Sequence, residues 1–176
     1  MRRAPITVGL PLLAVLALST LAYAAKPHFS DATAITTDGL NSAGATSAPQ
    51  TFHGGLLVDF REAGLGATSG TNYVVSASAT ATYACVNGGG NNPKASNKVT
   101  VSGPVSGGAT FSADANGQVT AQIAVPPLGP GDFTCPGGQS LVLASVSYTN
   151  VRITDTTNNV FKDIPGTFTL TLVSFN

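Results

Sequence analysis

The stretch TNYVVSASATATYAC, residues 71–85, constrains the fold more than any other part of the chain. Tyr73, Val75, Ala77, Ala79, Ala81, Tyr83 and Cys85 fall on one side of an extended backbone, and Asn72, Ser76, Ser78, Thr80 and Thr82 fall on the other. A period of two gives a strand with one buried face and one wet face, whereas a helix would scatter the hydroxyls around its circumference. Aromatic and β-branched content favours the same reading. The run of small alanines in the middle predicts close approach by an opposing layer.

The alternation returns along the rest of the chain. In GLLVDFREAG, Leu56, Val58 and Phe60 lie on one side and Leu57, Asp59 and Arg61 on the other. Shorter strands are expected in NKVTVSG, with Val99 and Val101 inward, in ATFSA, with Phe111 inward, and in GQVTAQIAV, with Val119, Ala121, Ile123 and Val125 inward. Asn116-Gly117 suits a tight hairpin turn between the last two, because both residues tolerate positive φ. PPLGPGDFTCPGGQ is too rich in proline and glycine for a central strand and reads as a loop. In SLVLASVSYTNVRITD the inward set shifts from even positions (Val142, Ala144, Val146, Tyr148) to odd ones (Val151, Ile153), which predicts a bulge near Thr149 and Asn150. The last strand places Phe168, Leu170 and Leu172 inward and Thr167, Thr169 and Thr171 outward. About seven to nine such strands indicate an all-β fold, an antiparallel β-sandwich of immunoglobulin-like or jelly-roll-like kind, with a β-barrel as the alternative.

The domain order follows from the amino-terminal third. Arg2 and Arg3, an apolar run from Ile6 to Leu21 and the pattern Ala22-Tyr23-Ala24 read as a signal peptide over residues 1–24. Residues 25–53, rich in Ala, Thr, Ser and Gly, read as an extended arm with one short strand near Ala32 to Thr36, and residues 54–176 as the sandwich domain. Removing Arg2 and Arg3 from the 8 Lys and Arg leaves six against 8 Asp and Glu. A chain with that balance lacks the basic stripe that nucleic acid requires. Charged residues make up 9% of the sequence, against about 25% in an average globular chain, so the surface must be built from neutral polar side chains. Both cysteines, Cys85 and Cys135, lie beyond the signal peptide, and in an oxidising compartment they are expected to form one disulfide.

The chemistry-bearing residues are sparse. YACVNGGGNNPKASNK has a glycine run, but Lys94 is followed by Ala95 rather than Ser or Thr and a strand follows instead of a helix, so a phosphate loop is not expected. Catalytic, cofactor-binding and metal residues are all expected to be absent. The exported part holds His28, His53 and the single glutamate Glu62, with no G-x-S-x-G elbow. Asp59 and Glu62 read as an exposed charged strand end rather than a carboxylate pair. Asp155, Asn158, Asn159 and Asp163 in DTTNNVFKD read as a hairpin turn, since the spacing is not that of a calcium loop. A Cys85–Cys135 bond would bring two glycine-rich loops to one end of the sandwich, which makes Asn87, Gly88, Gly89, Gly90, Asn91, Asn92, Gly137 and Gly138 the candidate contact loops.

The segments TYACVNGGGNNPKASNK, FSADANGQV, CPGGQSLVLASVSYTNVRITDTT and IPGTFTLTL resemble those of a set of small exported β-rich proteins of actinomycetes to which no activity is assigned. The resemblance covers about residues 54–176 and implies secretion and a disulfide. The expectation is a secreted, non-catalytic extracellular or cell-envelope module that contacts a partner or matrix, has no transmembrane span once the signal is removed, and is a monomer. The alternatives are a fibre-like subunit that assembles through the arm into a homo-oligomer, and, more remotely, a secreted hydrolase.

Overall fold

A computed structural model describes residues 26–38, 53–66, 70–87 and 97–175. The strands are β1 (His28–Thr37), β2 (Gly55–Ala63), β3 (Thr71–Asn87), β4 (Lys98–Phe111), β5 (Val119–Val125), β6 (Gln139–Asp155), β7 (Val160–Ile164) and β8 (Phe168–Thr171). All pairings are antiparallel and form two sheets, one in the order β1-β2-β5 and the other β4-β3-β6-β7, with β8 also on β6. The sheets pack face to face as a β-sandwich, and no helix occurs among the described residues.

The alternation in β3 is the reason the layers meet where they do. Tyr73, Val75, Ala77, Ala79 and Ala81 are buried against Leu56, Val58 and Phe60 of β2 and against Ile123 and Val125 of β5. Alanines at the centre let the layers approach, and the larger rings collect toward one end. There Phe29, Phe60, Tyr73 and Phe111 pack with centroid separations from 4.7 to 6.3 Å, mostly edge to face, the arrangement that ring quadrupoles favour. The phase change in β6 is a bulge. Ser76 pairs with Arg152 and Ser78 with Thr149, so Thr149–Val151 hold one residue more than β3 does, and Asn150 takes a φ of 53°. That extra residue keeps both Tyr148 and Val151 inward.

Three local readings change in the folded chain. The segments expected as two short strands around Val99 and Phe111 form one continuous strand, β4, with Pro104 in its middle. Proline is tolerated there because β4 is at a sheet edge, where an N–H can be spared. The turn at Asn116-Gly117 exists, with the Gly117 N–H donating to Asp114 at 3.0 Å and a φ of 71°, but it is not a hairpin. Its flanking strands β4 and β5 belong to different sheets, so the chain crosses between layers at this point. Finally, residues 28–37 form a ten-residue strand that pairs with β2 along its length. The signal-peptide residues lie outside the described residues.

The two sheets also approach each other along both sides. Thr36 of β1 donates to the Thr169 carbonyl of β8 at 3.1 Å. On the opposite side, a Cβ placed on Gly107 of β4 would lie 2.3 Å from the Ala124 carbonyl oxygen of β5, so only glycine permits that approach.

Candidate functional site

The expected disulfide is present. Cys85 is bonded to Cys135 across a separation of 50 residues, with the Cα atoms 5.5 Å apart. Asn87, the last residue of β3, is registered opposite Gln139 of β6, which places it beside the exposed Gly137 and Gly138. Three of the candidate loop residues therefore share one end of the sandwich. Gly88, Gly89, Gly90, Asn91 and Asn92 lie outside the described residues. The Tyr83 hydroxyl donates to the Leu128 carbonyl at 2.6 Å and the buried Tyr148 hydroxyl to the Gly54 carbonyl at 2.7 Å, while the buried side-chain oxygen of Gln139 has no partner among the described residues. Burial pushes both phenols above their ordinary range.

The opposite end holds a feature that the charge of the residue disguised. Glu62 is not an exposed strand end: it is fully buried, with 0% of its surface accessible. The correction follows from parity, because Glu62 is two residues after Phe60 on the same inward side of β2. Asp59, on the outward side, is half-buried and accepts a hydrogen bond from Gln122. Among the described residues, neither Glu62 oxygen, nor the buried hydroxyls of Thr71 and Tyr73, meets hydrogen-bond geometry with another group. The Tyr73 phenol and the Asp155 carboxylate are nonetheless near enough to act on Glu62 electrostatically.

Desolvation governs the protonation of this end. It is the largest influence on the Glu62 carboxyl; Tyr73 opposes it, Asp155 adds to it and His28 opposes it more weakly, and together they raise the carboxyl from its ordinary 4.5 to about 7. The Tyr73 phenol is pushed up by the same burial and by Glu62. Asp155 is itself committed to its turn: it accepts from the Thr157 and Asn158 N–H groups at 2.8 and 3.0 Å and from the Asn158 side-chain amide at 2.7 Å. This matches the hairpin-turn reading of the segment, and Asn159 completes the turn with a φ of 58°. Among the described residues no three His, Cys, Asp or Glu side chains come together as a metal site.

The outward face of the larger sheet presents a different chemistry. Register places Ser102, Thr80, Ser147 and Thr169 in one row across β4, β3, β6 and β8, and Thr100, Thr82, Ser145 and Thr171 in the next. Neighbouring hydroxyls bond laterally, Thr80 to Ser102 at 3.0 Å and Thr82 to Thr100 at 3.2 Å. Spacing between such positions is roughly 4.8 Å across strands and about 7 Å along them. The threonine ladder of the last strand is thus one column of an uncharged hydroxyl array.

Where β7 leaves β6 and β8 joins it, the array gives way to an open groove of about 720 Å³. Arg152 and Asp163 lie in it, joined by two hydrogen bonds at 2.6 and 3.1 Å. Asn150 stands at its bulged wall and donates to Ser78 at 3.3 Å. A comparison with protein-family models, with curated proteins and with solved structures finds no match to this chain.

Proposed function

We propose that the chain is an exported, non-catalytic β-sandwich module that makes contact with a neutral extracellular or envelope partner through the outward face of the β4-β3-β6-β8 sheet. The observation that carries this reading is the pair of hydroxyl rows crossing four strands without a formal charge. A surface of this kind has little to offer an ionic partner and many donor and acceptor groups to offer an uncharged one. The disulfide supports an oxidising compartment. No helix among the described residues is long and apolar enough to cross a membrane. β1 is already paired with β2 of its own chain, which favours this reading over assembly by donating the arm to a neighbour.

The test is co-sedimentation of the secreted protein with insoluble neutral polymers and with purified cell-envelope material. Binding should be lost when Thr80 and Ser147, adjacent in one row, are both changed to Glu. Binding that survives this change, or that requires a charged polymer, would remove the sheet face from the account.

A further inference from the structure

The bulge on β6 creates a place on the outward face that differs from the rows beside it. β6 pairs with β7 as far as Val151 and with β8 from Tyr148, so Thr149 and Asn150 have no strand partner on that side. The connection Pro165–Thr167 swings away there and leaves the groove. Its volume falls in the range of about 300 to 1,000 Å³ common for small-molecule clefts. Asn150 is the second observation. It takes a φ of 53°, a left-handed conformation that Asn tolerates, at the extra residue of the bulge. Its side-chain N–H is spent on Ser78, which orients its amide and leaves the carbonyl oxygen to accept.

The polar groups come as a neutral pair. Arg152 and Asp163 are both well exposed, at 45% and 62% of their side chains, and their two hydrogen bonds fix them side by side. The pair carries no net charge, and each member keeps unused donors or lone pairs facing solvent. An anion would meet Asp163 and a cation would meet Arg152. A ligand with adjacent hydroxyl groups, each able to donate and accept, fits both.

The adjoining row supplies the apolar half. Val74, Thr154 and Phe161 are registered across β3, β6 and β7, one row beyond Ser76, Arg152 and Asp163. Phe161 is 56% exposed and is the most exposed large apolar residue described, with Val74 also at the surface. The Arg152 guanidinium lies 4.2 Å from the centre of its ring, so one face of the ring is held and the ring is fixed in place. A fixed aromatic surface beside a donor and acceptor pair matches a pyranose, which has an apolar C–H face and a hydroxyl edge.

We propose that this groove and the row beside it bind a neutral polysaccharide, with Arg152, Asp163 and Asn150, which line the groove, bonding the hydroxyls of one hexose unit, and the exposed Phe161 ring, one row outside the groove, meeting the C–H face of the next unit. The proposal rests on the reading of the sheet face as a contact surface and names the chemistry of the partner. The hydroxyl rows from Ser78 and Thr149 outward then continue the track along which a chain would lie.

Affinity electrophoresis of residues 25–176 in gels containing laminarin, mannan, dextran or hydroxyethylcellulose, with polygalacturonate as a charged control, tests it. At least one neutral glycan should retard the protein. Phe161→Ala and Arg152→Ala should each weaken that binding roughly tenfold, a change of one decade in the dissociation constant, with unchanged circular dichroism. If both variants bind like the parent while Thr80→Glu with Ser147→Glu abolishes binding, the groove is not the subsite and the face reading stands. If the neutral glycans have no effect, or only polygalacturonate retards the protein, the proposal is overturned. Capture of an uncharged peptide that depends on Phe161 and Arg152 would assign the groove to protein ligands and overturn it as well.

Discussion

The two ends of the sandwich are held together by different chemistry. At one end, Cys85 is bonded to Cys135, and the buried phenols of Tyr83 and Tyr148 each find a carbonyl. At the other, an aromatic cluster of Phe29, Phe60, Tyr73 and Phe111 packs beside the buried Glu62 carboxyl, which, like the Tyr73 and Thr71 hydroxyls, makes no hydrogen bond of good geometry among the described residues. The first end hydrogen-bonds its phenols, leaves the neutral side-chain oxygen of Gln139 without a partner among the described residues, and closes with a covalent bond. The second accommodates an acidic group in an apolar setting by holding its proton up to a pH of about 7. The lesson is that one small core can be indifferent to pH at one end and responsive at the other, because the cost of a buried polar group depends on its charge state.

The largest effect should come from opening the stapled end. Cys85→Ser with Cys135→Ser removes a link closing 50 residues, and is expected to lower unfolding free energy by about 3 to 4 kcal/mol, on the chain-entropy account. Urea unfolding at pH 5 measures it. The pH dependence of stability should survive the change, because the carboxyl responsible is at the other end; its disappearance would break the separation of the two ends.

Next in size is the response to pH. A carboxyl raised in the folded state binds its proton more tightly there than in the unfolded chain, so protonation favours folding. The contribution of Glu62 is therefore complete below pH 4.5, declines as pH rises, and is gone above about 7. This is the reverse of a salt-bridged carboxylate, which stabilises as pH rises. The span from 4.5 to about 7 sets an upper bound of roughly 3 to 4 kcal/mol on that loss, at about 1.4 kcal/mol per pH unit. Glu62→Gln should flatten urea midpoints over this window, and equal slopes in parent and variant would place the titrating group elsewhere. The smallest effect sharpens the contrast: Tyr83→Phe removes the hydrogen bond to Leu128 and should cost about 1 kcal/mol, the same at pH 5 and pH 8.

The strands were legible in the sequence wherever alternation was strong. Tyr73 to Cys85 fixed the face of β3, and the phase change between Tyr148 and Val151 marked the bulge at Asn150. The turn at Gly117 was legible as a turn, but its destination was not, since local φ preference does not say which sheet the next strand joins. Pro104 and the glycines beside it masked the continuity of β4, because a strand's tolerance for proline depends on its being at an edge, a property of the assembled sheet. The middle of β1 was legible as a short strand near Ala32 to Thr36, but its full length was not, because its small inward residues and the distant Phe29 join the core only once β1 pairs with β2. For the site, Glu62 was readable from its parity with Phe60, yet charge suggested exposure. The groove at Asn150 and the hydroxyl rows required register between strands distant in sequence.

Glu62 is the chain's only glutamate, which allows the buried carboxyl to be observed alone. Labelling with glutamate carrying ¹³C at the side-chain carboxyl gives one resonance to follow in the folded protein from pH 3 to 9. The account predicts a single titration with its midpoint near 7, where burial has placed it. A midpoint at 4.5 or below would show a solvated or paired carboxylate and contradict the buried, protonated end on which the comparison rests.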